Sequence, residues 1–367
     1  MSQLPLVGVK VLDLSRVLAG PLATMMLGDL GADVIKVERA DRGDDTRAWG
    51  PPFDANGESA YYLSINRNKY SLAADLGTPD DLETVRGLLK EADVVVENFL
   101  PGALDRVGLR AADELRRRPD LVWCSLTGFG QKSTRPGYDF VVQAEAGWMA
   151  ITGERDGAPM KSGVALADLV AGKDAAIAIL AALVGRARGA QFDRHVQITL
   201  AASARAALVN VAQNALVSGA DARRWGNAHA NLVPYQLFQA SDRPIVIAVG
   251  SDEQWRACVS ALELPQLAED SQLLTNRGRL ENRDRIVSAF SQRLATRAAV
   301  EWLRILEGVH VPCGVVKSVL EAIQDAGEAS ALTGMPSSVG GRVRVPPPRL
   351  NEHGDLLRRA GWAAFQR

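Results

Sequence analysis

The sequence predicts an α/β protein: a large doubly wound parallel sheet, Rossmann-like in plan, with a smaller α+β domain after it. Short β-branched runs alternate with helical patterns as far as Leu200. The first two strands are separated by a helix of about ten residues, the length a right-handed parallel crossover needs. Beyond the polar stretch Gly219–Asn231 the pattern changes to two closely spaced strands followed by helices, which marks a domain boundary.

Val9–Leu14 is the first strand, closing at Asp13-Leu14-Ser15. Leu18-Ala19-Gly20-Pro21 opens a helix that runs to Leu30 and stops at Gly31, and Asp33–Glu38 is the second strand. Thr78-Pro79-Asp80-Asp81 places Thr at an N-cap and Pro at the first helical position, with Leu82, Val85, Leu88 and Leu89 on one face. Asp93–Glu97 and Leu121–Leu126 are further buried strands. Asp168 stands just before the Ala-rich helical run Ala175–Val184, and His195–Leu200 is a strand leading into a helical segment that ends near Val217. In the second domain, Pro234–Gln239 and Pro244–Val249 read as an antiparallel pair around Asp242-Arg243. Helices follow near Glu253–Leu262, Arg283–Leu294 and Ala298–Leu306, the last with Thr296 as N-cap. The tail Gly340–Val345 reads as a strand running into Pro346-Pro347-Pro348, before a final helix near Leu356–Phe365.

Composition narrows the function classes. Forty-two basic against 43 acidic residues leave a net charge of -1, so nothing draws the chain as a whole to nucleic acid or an anionic membrane. An anionic ligand needs a local site. Cys124, Cys258 and Cys313 are odd in number and lack metal-ligand spacing, so we expect reduced thiols and no metal. The start Met1-Ser2-Gln3-Leu4-Pro5 has no secretory character, and the Ala175–Val184 run is too short to cross a bilayer. A soluble, cytoplasmic protein is expected.

Arg16-Val17-Leu18-Ala19-Gly20-Pro21 lacks the three spaced glycines of a dinucleotide site. Doubly wound sheets nevertheless bind ligands beyond the carboxyl ends of their strands, and loops there carry Arg16, Arg39, Arg42, Arg47, Asn98, Phe99 and Arg106. Arginine suits phosphate and Phe99 offers an apolar face. None of the four histidines sits in a Gly-x-Ser-x-Gly context, which weakens a triad hydrolase. Asp168 reads locally first as a helix opener, since carboxylates favour helix N-termini, and, with the rest of the chain taken into account, as a nucleophile kept ionised by the helix.

An ordered set of motifs spans nearly the whole chain: Val17–Pro21, Gly31–Glu38, Val96-Glu97-Asn98-Phe99, Pro101-Gly102, Gly137-Tyr138-Asp139, Gly163–Asp168 and Val311–Gly314. In these the sequence resembles the class III coenzyme A transferases, the formyl-CoA and carnitine-CoA transferase group. Trp49–Phe53, Tyr61–Asn68 and Arg224–His229 look most like the members that move CoA from succinyl-CoA to other dicarboxylic acids. The resemblance implies that Asp168 is the catalytic carboxylate, and that Val17, Leu18, Ala19, Arg39, Asn98, Phe99, Arg106 and Phe129 line the CoA site. It implies CoA thioesters as substrates, no tightly bound cofactor, and a homodimer of two interlocked rings. A large CoA-binding domain over 1–215 is completed by 337–367, with linkers at 216–230 and 326–336 around a small domain at 231–325. Tyr138, Arg67, Arg224 and His229 are candidates for holding the acceptor acid, against the ordinary reading of each as an ion-pair or surface residue.

Some positions depart from the family pattern. Thr127-Gly128-Phe129 stands where some members have a lysine, Tyr70 replaces a basic residue, no glycine-rich lid appears near Gly250-Ser251-Asp252, and the tail is compressed. The rival readings are an α-methylacyl-CoA racemase and a non-catalytic CoA-binding protein. A racemase of this architecture places a histidine where Tyr138 stands, and tyrosine is a poor base at neutral pH.

Overall fold

The computed structural model describes residues 3–327 and 329–365. Met1 and Ser2 of the N-terminal reading, Glu328 of the expected linker, and Gln366 and Arg367 of the closing segment lie outside the described residues. Six parallel strands form the main sheet: β1 (Lys10–Asp13), β2 (Asp33–Glu38), β3 (Lys69–Ala73), β4 (Val94–Glu97), β5 (Val122–Thr127) and β6 (His195–Thr199). Their order is β3-β2-β1-β4-β5-β6, so the winding reverses between β1 and β4. Helices Ala19–Asp29 and Leu166–Ala187 cover one core, built on Val11, Val34, Val96 and Cys124. Pro79–Glu91 and Ala111–Arg117 cover the other face, joined by Leu357 and Trp362 from the tail.

β3 was not expected from the sequence. Its first residue, Lys69, is fully buried, and its ammonium donates to Asp13 Oδ2 (3.0 Å), Pro21 O (2.8 Å) and Asn66 Oδ1 (2.9 Å). A lysine satisfied in this way occupies a core position that periodicity reserves for an apolar residue.

The described residues group into two compact units. The first takes in residues up to Met149, Lys161–Ala220 and those from Ala326 onward; the second takes in Ala150–Met160 and Asp221–Asp325. The second unit holds an antiparallel sheet, β7 (Tyr235–Gln239), β8 (Pro244–Ala248) and β9 (Cys313–Val315), over a core that includes Trp255, Phe290 and Trp302. Thr296 is not the cap expected of it. The helix there is Ala299–Gly308, its first N–H is held by Asp242 Oδ1 at 2.7 Å, and the Thr296 hydroxyl donates instead to Arg293 O.

The tail also corrects an expectation, because residues 341–345 join no sheet. They lie extended on one side chain, with Asn68 Oδ1 accepting from Arg344 N (2.6 Å) and Val345 N (3.0 Å). Tyr70 stacks on His353 and Phe365 at 3.9 and 4.2 Å, so it anchors the tail. Among the described residues no helix is long and apolar enough to cross a membrane.

Candidate active site

At the β1/β4 reversal the loop Ser15–Leu18 leaves β1 under restraint. Val17 has φ of 69°, a left-handed conformation that a β-branched residue adopts only under outside constraint. Asn98 supplies part of that constraint, accepting from Arg16 N at 2.8 Å and donating to Arg16 O at 2.7 Å. Both carboxylate oxygens of Asp44 accept from Val17 N at 3.3 Å. Lys36 donates to Ser15 O at 2.8 Å and pairs with Asp44 at 2.9 Å, both side chains fully buried. The following helix, Ala19–Asp29, begins without a side-chain cap, which leaves the first-turn N–H groups of Ala19 and Gly20 open.

A second helix start is brought against this one by close packing. A Cβ on Gly172 would lie 2.7 Å from Ala19 O, so only glycine permits the approach of Leu166–Ala187 to Ala19–Asp29. Asp168 lies one turn before Gly172, in the first helical turn. It does not cap its own helix. Asp139 does so from outside, its Oδ1 accepting from Ala167 N at 2.8 Å and Asp168 N at 3.4 Å while its Oδ2 accepts from Gln143 at 2.7 Å. The backbones of Gly137 and Gly128 cross so tightly that a Cβ on either would strike the other, and this crossing aims Tyr138 and Asp139.

The resulting cleft, about 840 Å³ with its open mouth included, is lined by Arg16, Val17, Leu18, Ala19, Asn98, Phe99, Ser133, Arg135, Tyr138 and Asp168, among others. A neighbouring hollow of about 1040 Å³ is lined by Arg39 and Leu76 and shares Arg16 and Phe99 with the cleft. The Arg16 guanidinium lies 5.2 Å over the Phe99 ring.

Burial, and then the charge of Asp139, push the Asp168 carboxyl up to about 7. This corrects the expectation that the helix keeps it fully ionised: desolvation and a like charge outweigh the dipole. Tyr61 is pushed up to about 12 by burial and then by Asp168, Asp139 and Asp44, so a neutral phenol stands within electrostatic reach of the carboxylate pair. An acid with a value near neutrality, beside open helix N–H groups, is equipped for nucleophilic acyl chemistry.

Of the residues expected at the site, Val17, Leu18, Ala19, Asn98, Phe99, Tyr138 and Asp168 meet in the cleft, and Arg39 lines the adjoining hollow. Arg106, exposed on the turn Asp105–Val107, lines neither, and Phe129 lies beneath the Arg135 guanidinium at 4.2 Å. Arg67 is corrected outright. It is buried, paired to Asp29 at 2.7 Å, and donates to the carbonyls of Thr333 and Met335 at 2.7 Å each. Arg224 likewise donates to the carbonyls of Ala150, Glu154 and Gly157, and His229 Nδ1 accepts from Asn231 N at 3.0 Å. Arg47 is held by Glu38, Glu58 and Tyr62. Sequence reasoning missed Ser133, Arg135, Tyr61 and the capping role of Asp139. Gly137-Tyr138-Asp139 was visible as a motif, but its contact with residues 167 and 168 arises only on folding. Sequence also missed the Ser125–His195 contact, at 2.9 Å, which ties β5 to β6. Among the described residues no cluster of His, Cys, Asp and Glu is placed to hold a metal ion.

Strand order, cleft and carboxylate together define a Rossmann-like α/β enzyme with a carboxylate at its centre. The chain belongs to CoA-transferase family III, whose profile matches residues 6–353, and the enzyme is of the transferase class. It is 43% identical to the succinyl-CoA:glutarate CoA-transferase of Mus musculus over 354 residues, covering 95% of this chain and 81% of that one. It is 39% identical over 375 residues to the succinate–glutarate CoA-transferase of Agrobacterium fabrum, covering 95% and 94%. Among solved structures, a CAIB/BAIF family protein from Brucella suis superposes with a TM-score of 0.85 at 39% identity, covering 98% of this chain and 99% of that one.

Proposed function

We propose that the protein transfers CoA from succinyl-CoA, or another short acyl-CoA, to a small dicarboxylic acid, with Asp168 as the covalent relay. The observation that carries this reading is the position of Asp168: in the cleft, near neutrality, beside the open N–H groups that begin Ala19–Asp29. The Asp168 carboxylate attacks the thioester carbonyl carbon; a C–O bond forms, the C–S bond breaks, and an aspartyl-acyl anhydride and a CoA thiolate result. The thiolate then attacks the aspartyl carbonyl, giving an aspartyl-CoA thioester and releasing the donor acid. The acceptor carboxylate attacks that thioester, re-forming an anhydride and the thiolate. Attack of the thiolate on the acceptor's acyl carbon yields the new acyl-CoA and restores Asp168. Each addition places negative charge on an oxygen, for which the uncapped helix start at Ala19, lining the same cleft as Asp168, is the expected donor. Arg16, Phe99 and Arg39, running from cleft to hollow, suit the charged and apolar parts of a long CoA arm.

The names of the relatives support a dicarboxylic acceptor. Val164, Ile177 and Val184 on or beside the Leu166–Ala187 helix, with Val209, Leu216 and Val217 on Val209–Ser218, leave large apolar side chains exposed, which supports an interlocked homodimer. We place the enzyme in the cytoplasm, with residues 1–215 and 337–367 as its CoA-binding domain, except that 150–160 group with the small domain at 231–325.

Asp168→Ala abolishes exchange between succinyl-CoA and glutarate while CoA binding persists. Peptide mapping of the quenched wild-type enzyme finds the label on Asp168. Turnover surviving in the variant, or a label elsewhere, overturns the assignment. Exchange of an α-hydrogen in heavy water would instead indicate racemase chemistry.

A further inference from the structure

Arg224 and His229 are engaged by neighbouring backbone, and three other cations of the second unit gather on one ring. Trp225, half-buried, gathers three guanidiniums about its ring: Arg223 with Cζ 4.2 Å from the centroid, Arg283 at 4.7 Å and Arg155 at 5.8 Å. Among the described residues none of the three has a carboxylate within ion-pair distance, although Glu154, Asp156 and Asp284 are neighbours in sequence. Arg283 is fixed in place, its Nη2 donating to the carbonyls of His229 and Ala230 at 2.9 Å each. Its Nη1 is buried and has no acceptor. Burial, then the nearby charges of Arg155 and Arg223, hold its guanidinium below the ordinary arginine value. Stacking on one indole, and the charge of Asp284 acting on Arg283, offset part of that repulsion, but a buried donor with no acceptor and the concentrated positive charge remain costly until an anion arrives. Guanidinium forks match the geometry of carboxylate and phosphate oxygens.

We propose that Arg155, Arg223 and Arg283, set around Trp225, form an oxyanion-binding site that takes the carboxylate of a small dicarboxylic acid or a phosphate group. The site lies wholly within the second unit and stands whether or not Asp168 carries the transfer.

Calorimetric titration of the full chain, without any thioester present, tests it with glutarate, acetate, inorganic phosphate and adenosine 3′,5′-bisphosphate. Saturable binding of glutarate or inorganic phosphate, stronger than that of acetate, is expected, and adenosine 3′,5′-bisphosphate, which also fits the CoA cleft, counts only where Arg223→Gln weakens it. Arg283→Gln and Arg223→Gln each weaken it about tenfold, the loss of one charge-assisted fork, and leave CoA binding unchanged. Arg223 is exposed, so its variant keeps the test valid even where Arg283→Gln disturbs folding. Binding of glutarate without phosphate identifies a carboxylate site, and the reverse identifies a phosphate site. No saturable binding by any of the four anions, or binding unchanged in Arg223→Gln, overturns the proposal.

Discussion

Asp168 illustrates how a residue's setting outweighs its local sequence. With its carboxyl near 7 in the folded chain and 3.8 as the ordinary value, the folded state holds an extra proton between about pH 4 and pH 7. The stability tied to that proton is fully present below pH 4 and is lost as pH rises through 7. Asp168→Asn therefore raises the unfolding free energy read from urea curves at pH 8 by roughly 1–3 kcal/mol, and changes it little at pH 4. In turnover the sign reverses, because the nucleophile is the ionised form: kcat/KM climbs with pH along a limb near 7. Asp139→Asn, which keeps the cap to Ala167 but removes the like charge, moves that limb to lower pH. A pH–rate profile of the two enzymes checks this, and an unmoved limb would show that Asp139 acts only as a cap. The place of Asp168 at a helix start was legible in its local sequence, whereas the role proposed for it entered only with the resemblance. Arg67 was not: its partner Asp29 and the carbonyls of 333 and 335 are remote in sequence, so an isolated arginine offered no sign that it was already paired.

The secondary elements set the cleft by how closely they can approach. Gly172→Ala puts a methyl group 2.7 Å from a backbone carbonyl that cannot yield cheaply, so the two helix starts must separate. We expect a loss of about 1–3 kcal/mol in stability together with a fall in kcat, read from denaturation curves and exchange rates. Val17→Gly works in the opposite direction on stability. It releases a left-handed β-branched residue and raises the melting temperature, while the loosened loop lowers kcat. Four of the six parallel strands were readable because their runs are short and rich in buried apolar residues, as strands covered on both faces require. β6, at the sheet edge, was readable because its apolar residues alternate with polar ones. β3 escaped because its lysine is neutralised inside the core, and the tail was taken for a strand because an extended β-branched run looks the same whether it pairs with a sheet or with one asparagine.

The whole first unit depends on charges sealed within it. Asp13, Lys36, Asp44 and Lys69 are buried together. Burial alone would raise Asp13, but Lys69 and Lys36, with the hydroxyls of Ser15 and Thr24, hold it at about 2. That contribution is present above the ordinary carboxylate value and is lost as pH falls from about 4 to about 2, so acid unfolding steepens in that window. Asp13→Ala strands the buried Lys69 ammonium, while Lys36 keeps Asp44, and costs about 3–5 kcal/mol, measurable in urea at neutral pH. The composition showed none of this, since a net charge of -1 says nothing about which charges are inside.

The pairing of Arg67 and Asn68 with residues 333–345 also orders events during synthesis. Both segments of the second unit leave the ribosome before Ala326, whereas the unit begun first waits for that later strap. A nascent chain whose first 325 residues have emerged would therefore carry a finished second unit and a first one still unlatched, with the Arg67 Nη1 and Asn68 Oδ1 bare to chaperones.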